Sequence, residues 1–282
     1  MSSQLANVVF IVWRESVEAL LIVGILNAWL GRQANPIARH WGRIFLWTGV
    51  AAGFIAALVF AVVLLGFSDA LPDDAQELYQ TGAVFLAAAL ILQMVLWMRR
   101  NGRTLKRDME SALQSAAERS SWWGVFFLAA IAVAREGGET VVFLYGTLAA
   151  ASSASFLAPS LAALGGLSLG LATYALLQLG GRVLDWRTFF RITEVMLLFL
   201  AASLLVTGFD HLIGLGYIDA PAARLWDTSA FLPDTGPVGG LISALTGYRA
   251  RPDVAEALVY VVYWSIVAAV LWWTSRRTRT RA

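Results

Sequence analysis

The sequence predicts an all-α, polytopic helical membrane protein with seven transmembrane helices. Three observations carry that prediction. The 282 residues are 59% hydrophobic and only 14% charged, with a mean hydropathy of +0.67, whereas soluble domains carry about 25% charged residues. The apolar residues fall in seven long runs, roughly 5–30, 43–67, 80–98, 121–148, 158–180, 189–208 and 256–274. About 20 apolar residues cross the ~30 Å hydrocarbon layer as a helix. Finally, the runs do not alternate polar with apolar, which excludes a β-barrel.

The first run lacks a basic leader and a small-residue cleavage site, and it is longer than a signal peptide's apolar core. It is expected to remain as the first span. The connections then set the orientation. Arg32, Arg39 and Arg43 follow the first span; Arg99, Arg100, Arg103, Lys106, Arg107 and Arg119 follow the third; Arg182, Arg187 and Arg191 follow the fifth; Arg276, Arg277, Arg279 and Arg281 end the chain. Only Arg224, Arg249 and Arg251 lie on the other side. The positive-inside rule puts the larger set in the cytoplasm, hence the N-terminus outside and the C-terminus cytoplasmic. That arrangement requires an odd number of spans. Trp97, Trp122, Trp123, Trp272 and Trp273 fall near the predicted cytoplasmic ends, where indole rings prefer to sit.

The outer connection between spans two and three holds Asp69, Asp73, Asp74 and Glu77. It reads either as a cation-attracting vestibule or as an outer loop that simply lacks basic residues. The third connection, residues 99–121, mixes both charges and is expected to be a solvated helical extension. The sixth, 209–255, is rich in Gly, Pro and Asp and long enough for an outer cap with short helices. The whole chain, 1–282, reads as a single transmembrane domain: 1–98 as a first three-helix half, 121–208 as a second half, 209–255 as the cap and 256–274 as the seventh span.

Two of the apolar runs contain charges. Span one carries WRESVEAL, with Arg14, Glu15 and Glu18; span four carries AREGGETV, with Arg135, Glu136 and Glu139. At about 100° per residue, Arg14, Glu18 and Glu15 fall within an arc of about 100°. Residues four apart can pair, and carboxylates three apart can reach one point. A charge at the centre of a span costs about 2.5–3.5 kcal/mol, so six unpaired charges would cost roughly 15–20 kcal/mol. These residues must therefore face the bundle interior or a wet cavity. Four carboxylates and two guanidinium groups suit a hard or borderline cation held through oxygen, such as Fe, Mn, Mg or Ca. The competing reading is structural, two ion-pair networks that only lock helices together; the repetition in spans one and four favours a site.

With no cysteine, disulfides and thiolate sites are excluded. His40 and His211 fall outside the predicted spans, so the Glu-x-x-His pattern of four-helix di-iron centres is absent. An intramembrane metal enzyme is disfavoured on that ground. Span one runs inward and span four outward, so the motifs lie on antiparallel helices. Spans 1–3 and 4–6 then read as an inverted 3+3 repeat with one span appended, a transporter arrangement that places its site near the midplane. Gly137 and Gly138, between the glutamates of span four, permit close helix approach or local unwinding. Glu194 could act as an exit ligand, but pairing with Arg191 is the favoured expectation.

These residues resemble the oxidase-dependent iron transporter family, which comprises the fungal high-affinity iron permeases and the bacterial elemental-iron uptake permeases. The resemblance rests on the Arg-Glu-x-x-Glu motifs RESVE and REGGE. QELYQTGAVFLAAALILQMVLWM, FFRITEVMLLFLAASLLVTGFDHL and WDTSAFLPDTGPVGGLISALTGYRARPDVAEALVYVVYW are similar to the family's third span, sixth span and bacterial cap with last span. It implies iron import across the bacterial cytoplasmic (inner) membrane by a multi-pass, non-enzymatic permease. Glu15, Glu18, Glu136 and Glu139 would be the metal ligands, with Arg14 and Arg135 as charge partners. Iron would be the transported substrate, with no organic cofactor and no nucleic acid. The implied partner is an extracytoplasmic iron-oxidising or iron-binding protein; apart from the resemblance, a homo-oligomer is a further expectation, its size left open by the sequence. Another divalent cation such as manganese is the alternative substrate. The chain departs from the family pattern at Ser16-Val17 and Gly137-Gly138, where Gly-Leu is common. It also departs at Gln80-Thr81-Gly82, where the third span often opens with Glu-Gly.

Overall fold

Backbone N–H and C=O groups cannot be left open to hydrocarbon, and a helix satisfies them within its own segment. The long apolar runs fold accordingly. The computed structural model describes residues 2–33, 35–101, 122–149, 157–178, 186–218, 224–234 and 236–279. Among them it forms α1 (Ser2–Gly31), α2 (Pro36–Asp69), α3 (Asp73–Asn101), α4 (Trp123–Ala149), α5 (Leu157–Gln178), α6 (Trp186–Gly214), α7 (Pro237–Thr246) and α8 (Val254–Arg279). Each predicted run coincides with one of the seven long helices. α1, α2, α3, α6 and α8 outrun their apolar stretches, and capping and acidic residues show why in α2 and α3. Asn35 caps α2 by accepting the N–H groups of Ile37 at 3.0 Å and Ala38 at 3.5 Å, with Pro36 in the first position. Asp73 and Asp74 open α3 where the helix dipole favours acid. The third connection's expected helix falls on residues 102–121, outside the described residues.

Among the described residues, five helices are long and apolar enough to cross a membrane: α2, α3, α5, α6 and α8. The other two long helices, α1 and α4, miss that criterion for a simple reason. Each carries an arginine and two glutamates near its middle, so any spanning window within the helix includes all three charges.

The centre of the bundle is built from α1, α3, α4 and α6. Phe10 and Ile11 of α1, Val84, Ala87, Ala88 and Ile91 of α3, Phe143 of α4 and Leu197, Leu200 and Ala201 of α6 form one buried cluster. Around it α2 packs on α4, α5 on α1 and α8 on α6. Half of α6's apolar window is buried (50%), against 11% in α2 and 11% in α8. The exposed face of α2, with Phe54, Ile55, Leu58, Val59 and Val62, is suited to lipid rather than water.

Two glycines let neighbouring helices close to backbone contact beside the charged motifs. A Cβ on Gly53 of α2 would lie 2.5 Å from the Ala130 carbonyl oxygen of α4, 2.9 Å from Val133 Cβ and 3.0 Å from the Ala134 nitrogen. A Cβ on Gly166 of α5 would lie 2.6 Å from the Val9 carbonyl oxygen of α1, 3.0 Å from Val12 Cβ and 3.1 Å from the Trp13 nitrogen. Small residues let membrane helices close to backbone contact in this way. Gly53→Ala is therefore expected to destabilise by about 1–3 kcal/mol through overpacking. Gly165→Ala, with nothing within 4 Å of its Cβ position, is expected to hold or raise stability, since alanine gains about 1 kcal/mol of helix propensity. Thermal unfolding in detergent distinguishes the two.

The cap expected over 209–255 contains the last turn of α6 and the short helix α7, which packs on α1 and α6. Gly247 ends α7 at φ +74°, with its N–H donating to the Ser243 carbonyl at 2.8 Å. Arg249 fastens the cap, donating to Asp210 Oδ2 at 3.0 Å and pairing with Glu256 at 3.2 Å. Asp227 is held down at about 2, chiefly by the Ser229 hydroxyl, then by the Ser229 N–H and Arg251. A lowered folded value contributes stability above the unfolded value of about 3.9 and loses it as pH falls toward 2. Amide-exchange protection at Ser229 is thus expected to persist from neutral pH down to about pH 4.

Candidate cation site

The site begins with an uninterrupted helix. α1 continues through its charges, so Arg14, Glu15 and Glu18 project to one side, as their spacing predicts. All three are buried, Arg14 being only 1% exposed. Arg14 Nη1 donates to Glu15 Oε1 at 2.5 Å, and Nη2 pairs with Glu18. The same Nη1 donates to Met94 Sδ of α3 at 3.1 Å.

The second motif is arranged differently. On α4, Arg135 Nε donates to Glu139 Oε1 at 2.9 Å, again an i,i+4 pair. Its guanidinium lies over the Trp97 ring at 4.7 Å. This side chain is 41% exposed, against 2% for Arg14. Glu136 points inward and is buried. Ligand atoms of Glu15, Glu18 and Glu136 lie within 4.8 Å of one another. Glu139 stands outside that trio, held by Arg135.

Three carboxylates at this separation can share one cation. Oxygen ligands at about 2.0–2.6 Å leave opposing oxygens about 4–5 Å apart. Glu15 Oε2 and Glu136 Oε2 are buried and make no hydrogen bond to the described residues. A buried polar atom without a partner costs about 1–3 kcal/mol, more if charged. The cluster thus has unused acceptor capacity and excess negative charge in a dry setting, which favours a positive ligand.

The structure decides between two expectations for the paired glycines. A Cβ on Gly137 would meet Ala57 Cβ at 2.6 Å, so this position serves close approach of α2 to α4. No unwinding occurs: α4 is helical from Trp123 to Ala149. Gly138 has nothing within 4 Å of its Cβ position.

One other expectation changes. Glu194 pairs with Arg99 of α3 rather than with Arg191; the cross-helix arginine reaches it from the end of α3. Trp97, four residues before the end of α3, lies under Arg135 beside the site. The acidic group Asp69, Asp73, Asp74 and Glu77 sits at the α2–α3 turn. At 1.5 Å per residue, even Glu77 is about 25 Å along α3 from Met94. Neither Met94 nor Trp97 was singled out from sequence as a site residue. The signal was present: Val84, Ala87, Ala88, Ile91, Met94 and Val95 are the buried face of α3 at helical spacing.

Comparison with known proteins now gives the site a context. Residues 5–278 match the iron permease FTR1 family. The chain belongs to that family. It is 31% identical over 265 residues to ferrous iron permease EfeU of Escherichia coli O6:H1, covering 93% of this chain and 94% of that protein. EfeU of Shigella sonnei is 31% identical over 255 residues, 90% of each chain. EfeU of Yersinia pestis is 28% identical over 255 residues, 90% of this chain and 88% of that one. No solved structure matches. Permeases of this family are transporters, not enzymes, and this member is a multi-pass protein of the bacterial inner membrane.

Proposed function

We propose that this permease imports iron across the cytoplasmic membrane through the carboxylates of its two Arg-Glu-x-x-Glu motifs. The observation that carries the reading is the convergence of Glu15 and Glu18 from α1 with Glu136 from α4. Glu139, paired with Arg135, is a fourth carboxylate at the edge of the path. Arg14 offsets the charge of the trio until the cation arrives. The relatives' ferrous substrate makes iron(II) the first ion to test; nothing in the family match favours manganese.

The reading includes seven spans, N-terminus outside, with 1–98 and 121–208 as inverted halves, 209–255 as the outer cap and 256–274 as the seventh span. The glycine contacts support the inverted halves. Val9, Val12 and Trp13 stand five, two and one residues before Arg14; Ala130, Val133 and Ala134 stand in the same places before Arg135. Gly166 touches the first set and Gly53 the second, each from the second helix of the opposite half. Related helices thus make related contacts. Transport follows from rocking one half against the other around the carboxylates. An extracytoplasmic iron-oxidising or iron-binding partner delivers the ion in this scheme, and a homo-oligomer is compatible with the exposed α2 face.

Uptake of radioactive iron(II) into proteoliposomes of the purified chain tests the function. Saturable uptake that excess manganese barely inhibits is expected. Equal uptake of both metals would contradict the iron assignment.

A further inference from the structure

Carboxylates alone separate iron from manganese poorly, because both ions accept oxygen ligands. The cluster contains one donor of another kind. Met94 is 4% exposed, within the buried face of α3. Its sulfur is turned toward charge rather than only toward the core: Sδ lies 3.1 Å from Arg14 Nη1, and that nitrogen lies 2.5 Å from Glu15 Oε1. One positively charged group therefore touches a thioether and a carboxylate together. The chain has no cysteine. Its histidines, His40 in the first turns of α2 and His211 in the last turn of α6, do not belong to the cluster. Among the described residues, Met94 is the soft donor at the site.

Building on the carboxylate site proposed above, we propose that the Met94 thioether is a ligand that selects iron(II) over manganese. The ion binds between Met94 Sδ and Glu15 once the Arg14 guanidinium turns away from that pair and keeps Glu18 as its partner. A neutral, polarisable sulfur suits borderline iron(II), which accepts methionine in haem proteins. Manganese(II), magnesium and calcium prefer oxygen, and so does the harder iron(III). The carboxylates then supply attraction for any small cation, and the sulfur supplies preference. A packing role is the bland reading, since methionine commonly fills gaps in cores.

The test uses proteoliposomes of the full chain carrying wild type, Met94→Leu or Glu136→Gln. Leucine conserves volume and apolarity, so the packing is retained. Iron(II) uptake, kept reduced, is measured with manganese as competitor. Met94→Leu is expected to raise half-saturation for iron about ten-fold, the effect of losing a site contact, with manganese inhibition constant unchanged. An equal change for both metals, or none, overturns the role of the thioether. X-ray absorption of the iron(II)-loaded protein gives a second reading. A sulfur shell in wild type that is lost in Met94→Leu is expected, and an oxygen-only shell in wild type overturns the proposal. Glu136→Gln separates the two levels. If it abolishes uptake while Met94→Leu leaves selectivity intact, the carboxylate site stands and the thioether ligand falls. If Glu136→Gln transports normally, both fall.

Discussion

Glu15→Gln is expected to abolish most iron uptake at unchanged membrane abundance. Glutamine matches glutamate in volume and its side-chain oxygen can still accept from Arg14 Nη1, which now sits 2.5 Å from Glu15 Oε1. The helix should therefore survive. What is lost is one of three negative charges at a point where three ligand atoms lie within 4.8 Å of one another. Removing one partner of a buried charge pair costs about 2–5 kcal/mol, equivalent to roughly thirty-fold or more in affinity. Glu139→Gln is the informative contrast. Glu139 is outside the trio and pairs with an arginine whose side chain is 41% exposed, so a few-fold effect is expected. Isotope uptake by cells, normalised to immunoblotted protein, measures both. Equal losses would mean that the two motifs contribute alike and that the trio has no special role.

Arg14→Leu and Arg135→Leu are expected to differ sharply in stability. The motifs share the Arg-Glu-x-x-Glu pattern, but their arginines do not share an environment. Arg14 is buried and touches Glu15, Glu18 and Met94. Its removal leaves clustered carboxylates without a counter-charge. Breaking a buried pair from one side costs about 3–5 kcal/mol, a large part of a typical net stability of about 5–15 kcal/mol. Arg135→Leu removes the partner of Glu139, itself only 16% exposed, and a ring contact with Trp97; because Arg135 is 41% exposed, water reaches the pair from that side and the loss is expected to be about 1–2 kcal/mol. Detergent-solubilised yield and thermal unfolding should show severe loss for Arg14→Leu and a small shift for Arg135→Leu. Comparable losses would show that Arg135 also lies in a dry, fully paired setting.

The contrast between those arginines shows how far the sequence is legible. Helix positions follow from apolar length, and the i,i+4 pairs Arg14–Glu18 and Arg135–Glu139 follow from helical spacing. Both are local. Which carboxylates meet across helices is not local. It depends on how closely α2 approaches α4 and α5 approaches α1, and those distances are set by Gly53 and Gly166. Motif symmetry suggests four equivalent glutamates; the packing gathers Glu15, Glu18 and Glu136. Met94 and Trp97 were hidden for a related reason. A methionine and a tryptophan near the end of an apolar run are unremarkable in sequence, and only the docking of α3 brings them to Arg14 and Arg135. Glu194 failed in the same way, since its partner Arg99 is distant in the chain.

Equilibrium binding of radioactive iron(II) to the purified chain in lipid nanodiscs tests the central claim most directly, because it separates binding from driving force and partner proteins. Wild type, Glu136→Gln and Glu139→Gln suffice. Glu136 comes from α4 while Glu15 and Glu18 come from α1, so its contribution requires the two helices to build one site. Loss of at least about ten-fold in affinity for Glu136→Gln, with Glu139→Gln within a few-fold of wild type, is the predicted result. Wild-type binding by Glu136→Gln would contradict a single site made by the converging glutamates.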